Sequence, residues 1–98
     1  MSHSFTNFLY HVIFSTKHRE PSLDSAMREG VFEYLGGLIR ADGDDFLSAN
    51  GTADHVHLLL RMRQDHRLAD VIRNLKARSS QWLRRSFSER PAFAWQVG

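Results

Sequence analysis

Two histidines separated by one residue, His55 and His57, form the pattern in this sequence with the clearest capacity for chemistry. They begin an apolar run, HVHLLLRM, that is typical of a β-strand. In a strand, side chains at i and i+2 point to the same side, about 6.6 Å apart at Cα for a rise near 3.3 Å per residue. Two imidazoles at that spacing can converge on one metal ion. The alternative is a pair of surface histidines, because a catalytic metal shell needs at least a third protein ligand.

Basic residues are concentrated in the second half of the chain. The formal net charge is only +2, but eleven of the thirteen basic residues are arginine, which suits bidentate contacts to phosphate. Nine of them fall between residues 61 and 90, against the acidic residues Asp65, Asp70 and Glu89. This asymmetry favours a polyanionic partner for the second half. The alternative is an ordinary solvated surface.

The composition limits the class of protein. Ninety-eight residues are enough for one compact domain, and eleven aromatic residues can fill its core. The absence of cysteine excludes disulfides, thiolate metal sites and cysteine nucleophiles. No segment resembles a signal peptide, and no apolar run approaches the ~20 residues of a membrane span. We therefore expect a cytoplasmic protein with no membrane partner.

The elements that must position the histidines follow from the pattern of apolar residues. Residues 8–16 (FLYHVIFST) are apolar on both faces and predict an interior strand. Asp24 is the predicted N-cap of a helix that ends near Gly43, and Gly30 in its apolar stripe predicts a close approach to the sheet. A short strand, 46–49, is followed by a predicted turn at 50–51 and by the strand 55–62.

A second helix is predicted from a cap at Asp65 to about Ser86, and Pro91 ends this helical region. Residues 93–97 (FAWQV) predict one more strand. The order β-α-β-β-α-β predicts an α+β fold of the ferredoxin-like or RRM-like type, an antiparallel sheet with two helices packed on one face.

The second helix is the predicted nucleic-acid surface. At 100° per residue, Arg73, Lys76, Ser80 and Arg84 flank one side of its apolar stripe, and Arg78 lies on the other side. Basic side chains and hydroxyls of this kind can contact a phosphate backbone, although a solvated arginine face is again the alternative. The predicted DNA-binding residues are Lys17, Arg19, Arg73, Lys76, Arg78, Ser79, Ser80 and Arg84.

Several separated segments together resemble one family. The segments LYHVIFSTKHRE, YLGGLIR, DHVHLLL, LKARSSQWL and FAWQVG are similar, in this order, to segments of the IS200-like transposases and of their relatives associated with repetitive palindromes. The resemblance implies a histidine-hydrophobic-histidine (HUH) domain that binds single-stranded or hairpin DNA at mobile-element ends. It also implies that His55 and His57 hold a divalent ion, magnesium or manganese, and that the protein is a homodimer.

The resemblance implies a reaction as well. In the family a tyrosine attacks the phosphate, giving a 5′-phosphotyrosine, and this tyrosine lies on a helix beyond the FAWQ-type strand. The sequence ends at Gly98, and its two tyrosines, Tyr10 and Tyr34, fall where packing residues are expected. We therefore expect residues 1–98 to be a single HUH domain that lacks the tyrosine helix, binds metal weakly and does not cleave DNA.

Two other functions remain open on the sequence alone. One is a non-catalytic nucleic-acid-binding module whose RRM-like sheet reads RNA or DNA without metal. The other is a small metal-dependent hydrolase of unrelated descent.

Overall fold

In the part of the chain that the structure describes, a three-stranded antiparallel sheet carries two helices. The computed structural model describes residues 8–87 and 92–97. The elements in chain order are β1 (Phe8–Ser15), α1 (Ser25–Ala41), β2 (Asp45–Gly51), β3 (His55–Met62) and α2 (Leu68–Ser86). The sheet order is β1-β3-β2, with both pairs of strands antiparallel. The predicted α+β class is confirmed, as are the bounds of β3.

The core lies between the sheet and the two helices. Along β3, buried residues alternate with half-buried ones, so that Val56, Leu58, Leu60 and Met62 face the core. Residues of α1 and α2 belong to the same buried cluster. Both helices therefore cover this one face of the sheet, as the sequence predicts, and the histidines of β3 lie on the other.

α1 begins where the sequence predicts. The side chain of Asp24 accepts a hydrogen bond from the backbone N–H of Met27 at 2.9 Å, which caps the first turn. The helix ends at Ala41, and Gly43 follows with φ of 85°. Gly30 does not approach the sheet as predicted; a Cβ on it would lie 2.7 Å from the Trp82 ring. This glycine lets α1 pack closely on α2.

The connection between β2 and β3 differs from the prediction. Asn50 and Gly51 lie within β2, and the turn is formed by residues 52–54. Position 51 needs glycine because the backbone of β3 lies close to it: a Cβ there would be 2.2 Å from the carbonyl oxygen of His55. β2 also contains a bulge at Leu47, between the pairs formed by Phe46 and Ser48.

The start of α2 was also predicted incorrectly. Asp65 does not cap this helix; its carboxylate accepts hydrogen bonds from Arg63, both at 3.2 Å. The N-cap position belongs to Arg67, which makes no side-chain cap hydrogen bond. α2 ends at Ser86, and Pro91 lies outside the described residues.

The predicted fourth strand is reduced to a single bridge, Thr16–Trp95. Two backbone hydrogen bonds flank the bridge, from the N–H of Lys17 to the carbonyl oxygen of Ala94 at 3.0 Å and from the N–H of Gln96 to that of Ser15 at 2.7 Å. The carbonyl oxygens of Phe93 and Gln96 accept from the side chains of Arg84 and Lys76. β1 is consequently an edge strand in the described part of the chain, not the interior strand predicted. Its residues Leu9 and Ile13 are each 57% exposed. Neither described helix has the length and apolar content needed to cross a membrane.

Candidate metal centre and nucleic-acid interface

His55 and His57 lie side by side on the face of the sheet that the helices leave uncovered. Their ring centroids are 4.7 Å apart, with an angle of 68° between the ring planes. The alternation of β3 explains the arrangement, because Val56 between them points into the core. The structure therefore brings the two predicted ligands together.

The bend that precedes β3 gives His55 a carboxylate partner. The Nδ1 atom of His55 lies 2.7 Å from Oδ1 of Asp54 and 2.9 Å from the hydroxyl of Thr52. The hydrogen bond from His55, the largest effect, lowers the pKa of the Asp54 carboxyl below its ordinary value of 3.8, and Thr52 and Arg19 act in the same direction. Asp54 is therefore an ionised acceptor at neutral pH.

A third imidazole, from β1, lies against His57. Nε2 of His11 is 3.1 Å from Nδ1 of His57, and the two ring centroids are 5.2 Å apart. The pairing of β1 with β3 sets Ile13 opposite His57 and His11 opposite Leu59, so all these side chains share the uncovered face. An open cavity of about 250 Å³ adjoins the rings of His11 and His57 and is also lined by Ser48 and Asn50.

The chemistry of this donor set fits a divalent ion, although incompletely. Imidazole nitrogen suits zinc and nickel better than magnesium. Among residues 8–87 and 92–97, no group of three or more histidine, aspartate or glutamate side chains is arranged to hold a metal ion. Two ligands from this chain leave the other coordination positions to water or substrate.

The predicted basic flank of α2 borders a groove. The groove, of about 660 Å³, runs between α2 and residues 94–97, and its predicted DNA-binding residues are Arg73, Lys76 and Ser80. Arg73 is largely exposed and forms an ion pair with Asp70 at 3.1 Å. Lys76 donates to the carbonyl oxygen of Gln96.

Three predicted DNA-binding residues lie elsewhere on α2. Ser79 is fully buried, and its hydroxyl donates to the carbonyl oxygen of Leu75 at 2.6 Å. Its predicted phosphate contact is therefore wrong, because position 79 faces the core. Arg84 donates to the carbonyl oxygen of Phe93 at 3.0 Å. Arg78 is exposed on the opposite flank and does not line the groove.

Lys17 and Arg19 lie past the end of β1, in a 3-10 turn spanning Lys17–Arg19. His18 and Arg19 both have positive φ, 57° and 54°, a conformation uncommon for residues other than glycine. The turn brings the guanidinium of Arg19 to 3.5 Å from Asp54. Arg19 thus lies beside the partner of His55, near the histidines on the uncovered face. The basic flank of α2 lies on the helix side of the sheet.

Both tyrosines lie away from the histidines. Tyr10 is in register with the core-facing residues of β1 and packs against the core. Tyr34 stacks on Trp82 with ring centroids 5.0 Å apart. Trp82 is itself partly buried against the core.

Sequence reasoning missed His11 and the partner role of Asp54. A polar residue in the apolar run of β1 was a signal for His11, and Asp54 immediately precedes the histidine pair. Neither signal identifies the atoms in contact, because His11 and His57 are 46 positions apart.

Comparisons with known proteins agree on one family. The family described as "Transposase IS200 like" matches residues 4–98. The transposase for insertion sequence element IS200 of Salmonella typhimurium is 28% identical over 89 residues, 91% of this chain and 59% of the relative. The ISDra2 transposase TnpA of Deinococcus radiodurans is 29% identical over 71 residues, 72% of this chain and 51% of the relative. The matched part of the chain thus spans between half and three fifths of the length of these relatives.

The fold agrees as well. A solved structure from Deinococcus radiodurans R1, described as a candidate transposase, superposes with a TM-score of 0.84 at 21% identity, covering 100% of this chain and 84% of the other. At this identity the likeness concerns the fold, whereas the family match spans nearly all of the sequence. The chain belongs to the IS200-like transposase family.

Proposed function

We propose that this chain is a DNA-binding HUH domain for DNA transposition, which recognises single-stranded or hairpin DNA at mobile-element ends. The observation that carries the proposal is the adjacent pair His55 and His57 on the uncovered face of the sheet, with ring centroids 4.7 Å apart, in a chain of this family. The named relatives are transposases of insertion sequences, which supports DNA as the partner.

His55 and His57 are the proposed ligands of a divalent ion, magnesium or manganese. When bound, such an ion polarises the scissile phosphate and lowers the cost of charge developing on its oxygens. The chain contributes the two imidazoles and a guanidinium, that of Arg19, which is 62% exposed beside Asp54 and available to a phosphate. With two protein ligands, we expect binding of the ion to be weak.

The basic flank of α2 is the proposed backbone-binding surface. Arg73 pairs with Asp70 at an exposed position, and pairs of this kind contribute about 0–1 kcal/mol, so a phosphate can replace the carboxylate at small cost. Lys76 and Ser80 line the same groove. Contacts of this type fix DNA without reading its sequence.

Residues 1–98 are proposed to bind DNA hairpins without cutting them. The family reaction, strand cleavage and joining through a 5′-phosphotyrosine, needs a tyrosine hydroxyl in line with the scissile phosphate. Tyr10 packs on the core side of the sheet and Tyr34 stacks on Trp82, so neither is beside the histidines.

A homodimer built on the sheet is part of the proposal. The outer edge of β1 is unpaired from Phe8 to Phe14 among the described residues, and the face beside it exposes Leu9 and Ile13. An uncovered apolar edge strand tends to pair with another chain.

The second candidate is a non-catalytic nucleic-acid-binding module. The same exposed face, with Leu9 and Ile13 beside the imidazoles of His11 and His57, offers a surface on which bases can stack. Binding that does not depend on metal or on the α2 flank would favour this function.

Hairpin binding as a function of salt tests the α2 surface. The double variant Arg73→Gln/Lys76→Gln should weaken binding of all hairpin sequences and flatten the log-log salt dependence, by about 0.7 for each lost phosphate contact on a single strand. The control Arg40→Gln/Arg63→Gln removes the same charge away from the groove and should keep most of the slope. Equal losses in both variants would contradict a specific role for the flank.

Incubation with labelled hairpin and manganese, followed by a denaturing gel, tests the reaction. We expect no covalent protein–DNA adduct. An adduct that disappears in Tyr10→Phe or Tyr34→Phe would show that residues 1–98 contain a working nucleophile.

A further inference from the structure

We propose that Asp54 and His11 are positioning residues that engage the Nδ1 atoms of His55 and His57 and thereby leave the two Nε2 atoms to bind the cation. The proposal rests on the proposed metal site and names the groups that prepare its ligands. It is carried by two contacts, His55 Nδ1 to Asp54 Oδ1 at 2.7 Å and His57 Nδ1 to His11 Nε2 at 3.1 Å.

The contact with Asp54 determines the tautomer of His55. An ionised carboxylate only accepts hydrogen bonds, so a neutral imidazole facing it must carry its proton on Nδ1. The lone pair of the neutral ring is then on Nε2. A metal binds a histidine through such a lone pair, and the opposite ring N–H of a ligating histidine is generally held by a carboxylate, carbonyl or water.

The local backbone explains why Asp54 reaches His55. Successive side chains of a strand point to opposite faces, but Asp54 lies in the bend before β3 and is free of that alternation. Its carbonyl oxygen accepts from the backbone N–H of Thr16 at 2.8 Å, which anchors the bend to the end of β1. Its carboxylate also accepts from the hydroxyl of Thr52 at 3.1 Å and lies 3.5 Å from Arg19.

Burial favours a defined geometry at this contact. The side chains of His55 and Asp54 are 22% and 29% exposed, so water has limited access to the hydrogen bond. Because the acceptor carboxylate is also held by Thr52 and Arg19, the ring of His55 is oriented before any ion arrives. Pre-orientation lowers the cost of ordering a ligand upon binding.

His11 has the corresponding role at His57 but does not impose a tautomer by itself. Either imidazole can donate in the contact between His11 and His57. Only the arrangement with the proton on Nδ1 of His57 leaves its Nε2 free for a cation. Cation binding should therefore select that arrangement, with Nε2 of His11 as the acceptor.

The test uses ¹⁵N-labelled residues 1–98, free of metal, at a pH at which the histidines are neutral. Two-bond ¹H–¹⁵N correlation spectra report which ring nitrogen carries the proton. We expect His55 to be protonated on Nδ1 in the wild type and to become a mixture of tautomers in Asp54→Ala, with His57 unchanged. His11→Ala should change the signals of His57 and leave those of His55 as they were.

Asp45→Ala is the matched control, because Asp45 is an exposed aspartate of the same sheet that pairs with Arg61 at 3.8 Å, away from the histidines. It should leave both rings unchanged. If Asp54 or His11 had only a structural role, its replacement would change the NMR signals of both rings together. Alternatively, it would lower the thermal unfolding temperature without changing a tautomer. Either result would overturn the proposal.

Manganese titration, followed by electron paramagnetic resonance, separates this proposal from the proposed function. Loss of the partner of a ligating histidine typically weakens metal binding about 10–100-fold, and we expect a weakening of this order for Asp54→Ala. If His55→Ala abolishes manganese binding and Asp54→Ala does not weaken it, the result supports the metal site and contradicts the positioning role. If wild type and His55→Ala bind manganese equally poorly, the metal site itself is wrong, and the positioning role falls with it.

Discussion

The indole N–H of Trp95 donates a hydrogen bond of 2.9 Å to the buried hydroxyl of Ser79. The same hydroxyl donates to the carbonyl oxygen of Leu75, so both of its roles are filled inside the protein. This contact joins residues 92–97 to α2 at the position where the sequence suggests a phosphate ligand. Ser79 therefore stabilises the fold.

The exchange Ser79→Ala should lower the free energy of unfolding by about 1–3 kcal/mol, because it leaves the buried N–H of Trp95 without an acceptor. Ser80→Ala, one position further along α2, removes only a hydroxyl bonded to the carbonyl oxygen of Ala77 at 3.1 Å and should change stability by less than about 0.5 kcal/mol. Urea unfolding of both variants measures the difference. Equal effects would contradict the buried role of Ser79.

Two adjacent glycines of α1 should respond oppositely to alanine. Nothing lies within 4 Å of a Cβ at Gly37, so Gly37→Ala should stabilise the protein by about 1 kcal/mol through helix propensity. A Cβ at Gly36 would lie 2.9 Å from the ring of Phe46, and crowding of this kind typically costs about 1–3 kcal/mol. Thermal unfolding of the two variants measures the difference in their stability. A Gly36→Ala protein as stable as Gly37→Ala would mean that the Phe46 ring moves without cost.

Acid should weaken the anchoring of Asp54. Because the folded-state pKa of this carboxyl is lowered, its contribution to stability is present above its ordinary value of 3.8 and is lost as the pH falls below 3.8 through the folded-state pKa. Asp54→Asn should therefore flatten the fall in stability in this acid range. Unfolding curves at a series of pH values, in the presence of a chelator, measure this dependence of stability on pH. An identical acid profile for wild type and variant would contradict the cause assigned to the shift.

Substitutions at two neighbouring positions of β1 should affect different properties, dimerisation at one position and stability at the other. Ile13 is 57% exposed on the uncovered face, so Ile13→Thr should weaken the proposed dimer with little loss of stability. Val12 is 8% exposed and faces the core, so Val12→Thr buries a hydroxyl and should cost about 1–3 kcal/mol. Sedimentation velocity at tens of micromolar, with unfolding curves, distinguishes the two. A wild type that is only monomeric under these conditions would argue against the dimer.

Local regularities of the sequence predicted the elements that carry the site. The period of two along residues 55–62 was enough to put His55 and His57 on one face, because strand alternation is a property of the backbone. Asp24 capped α1 as predicted, since a cap needs only residues three positions apart. These features depend on short separations in the chain and can be inferred without the fold.

Features that depend on long-range packing were decided by the tertiary structure. Asn50 and Gly51 form part of β2 because pairing with β3 extends to the end of that strand, overriding their turn propensity. The acceptor role of Ser79 depends on residues 92–97, because Trp95, sixteen positions away in sequence, donates to its hydroxyl. The contact of His11 with His57 exists only because β1 and β3 pair in a particular register. The sequence by itself determined which two imidazoles share a face, and only the folded sheet decided which groups hold them, since those partners come from distant segments whose relative positions no local pattern encodes.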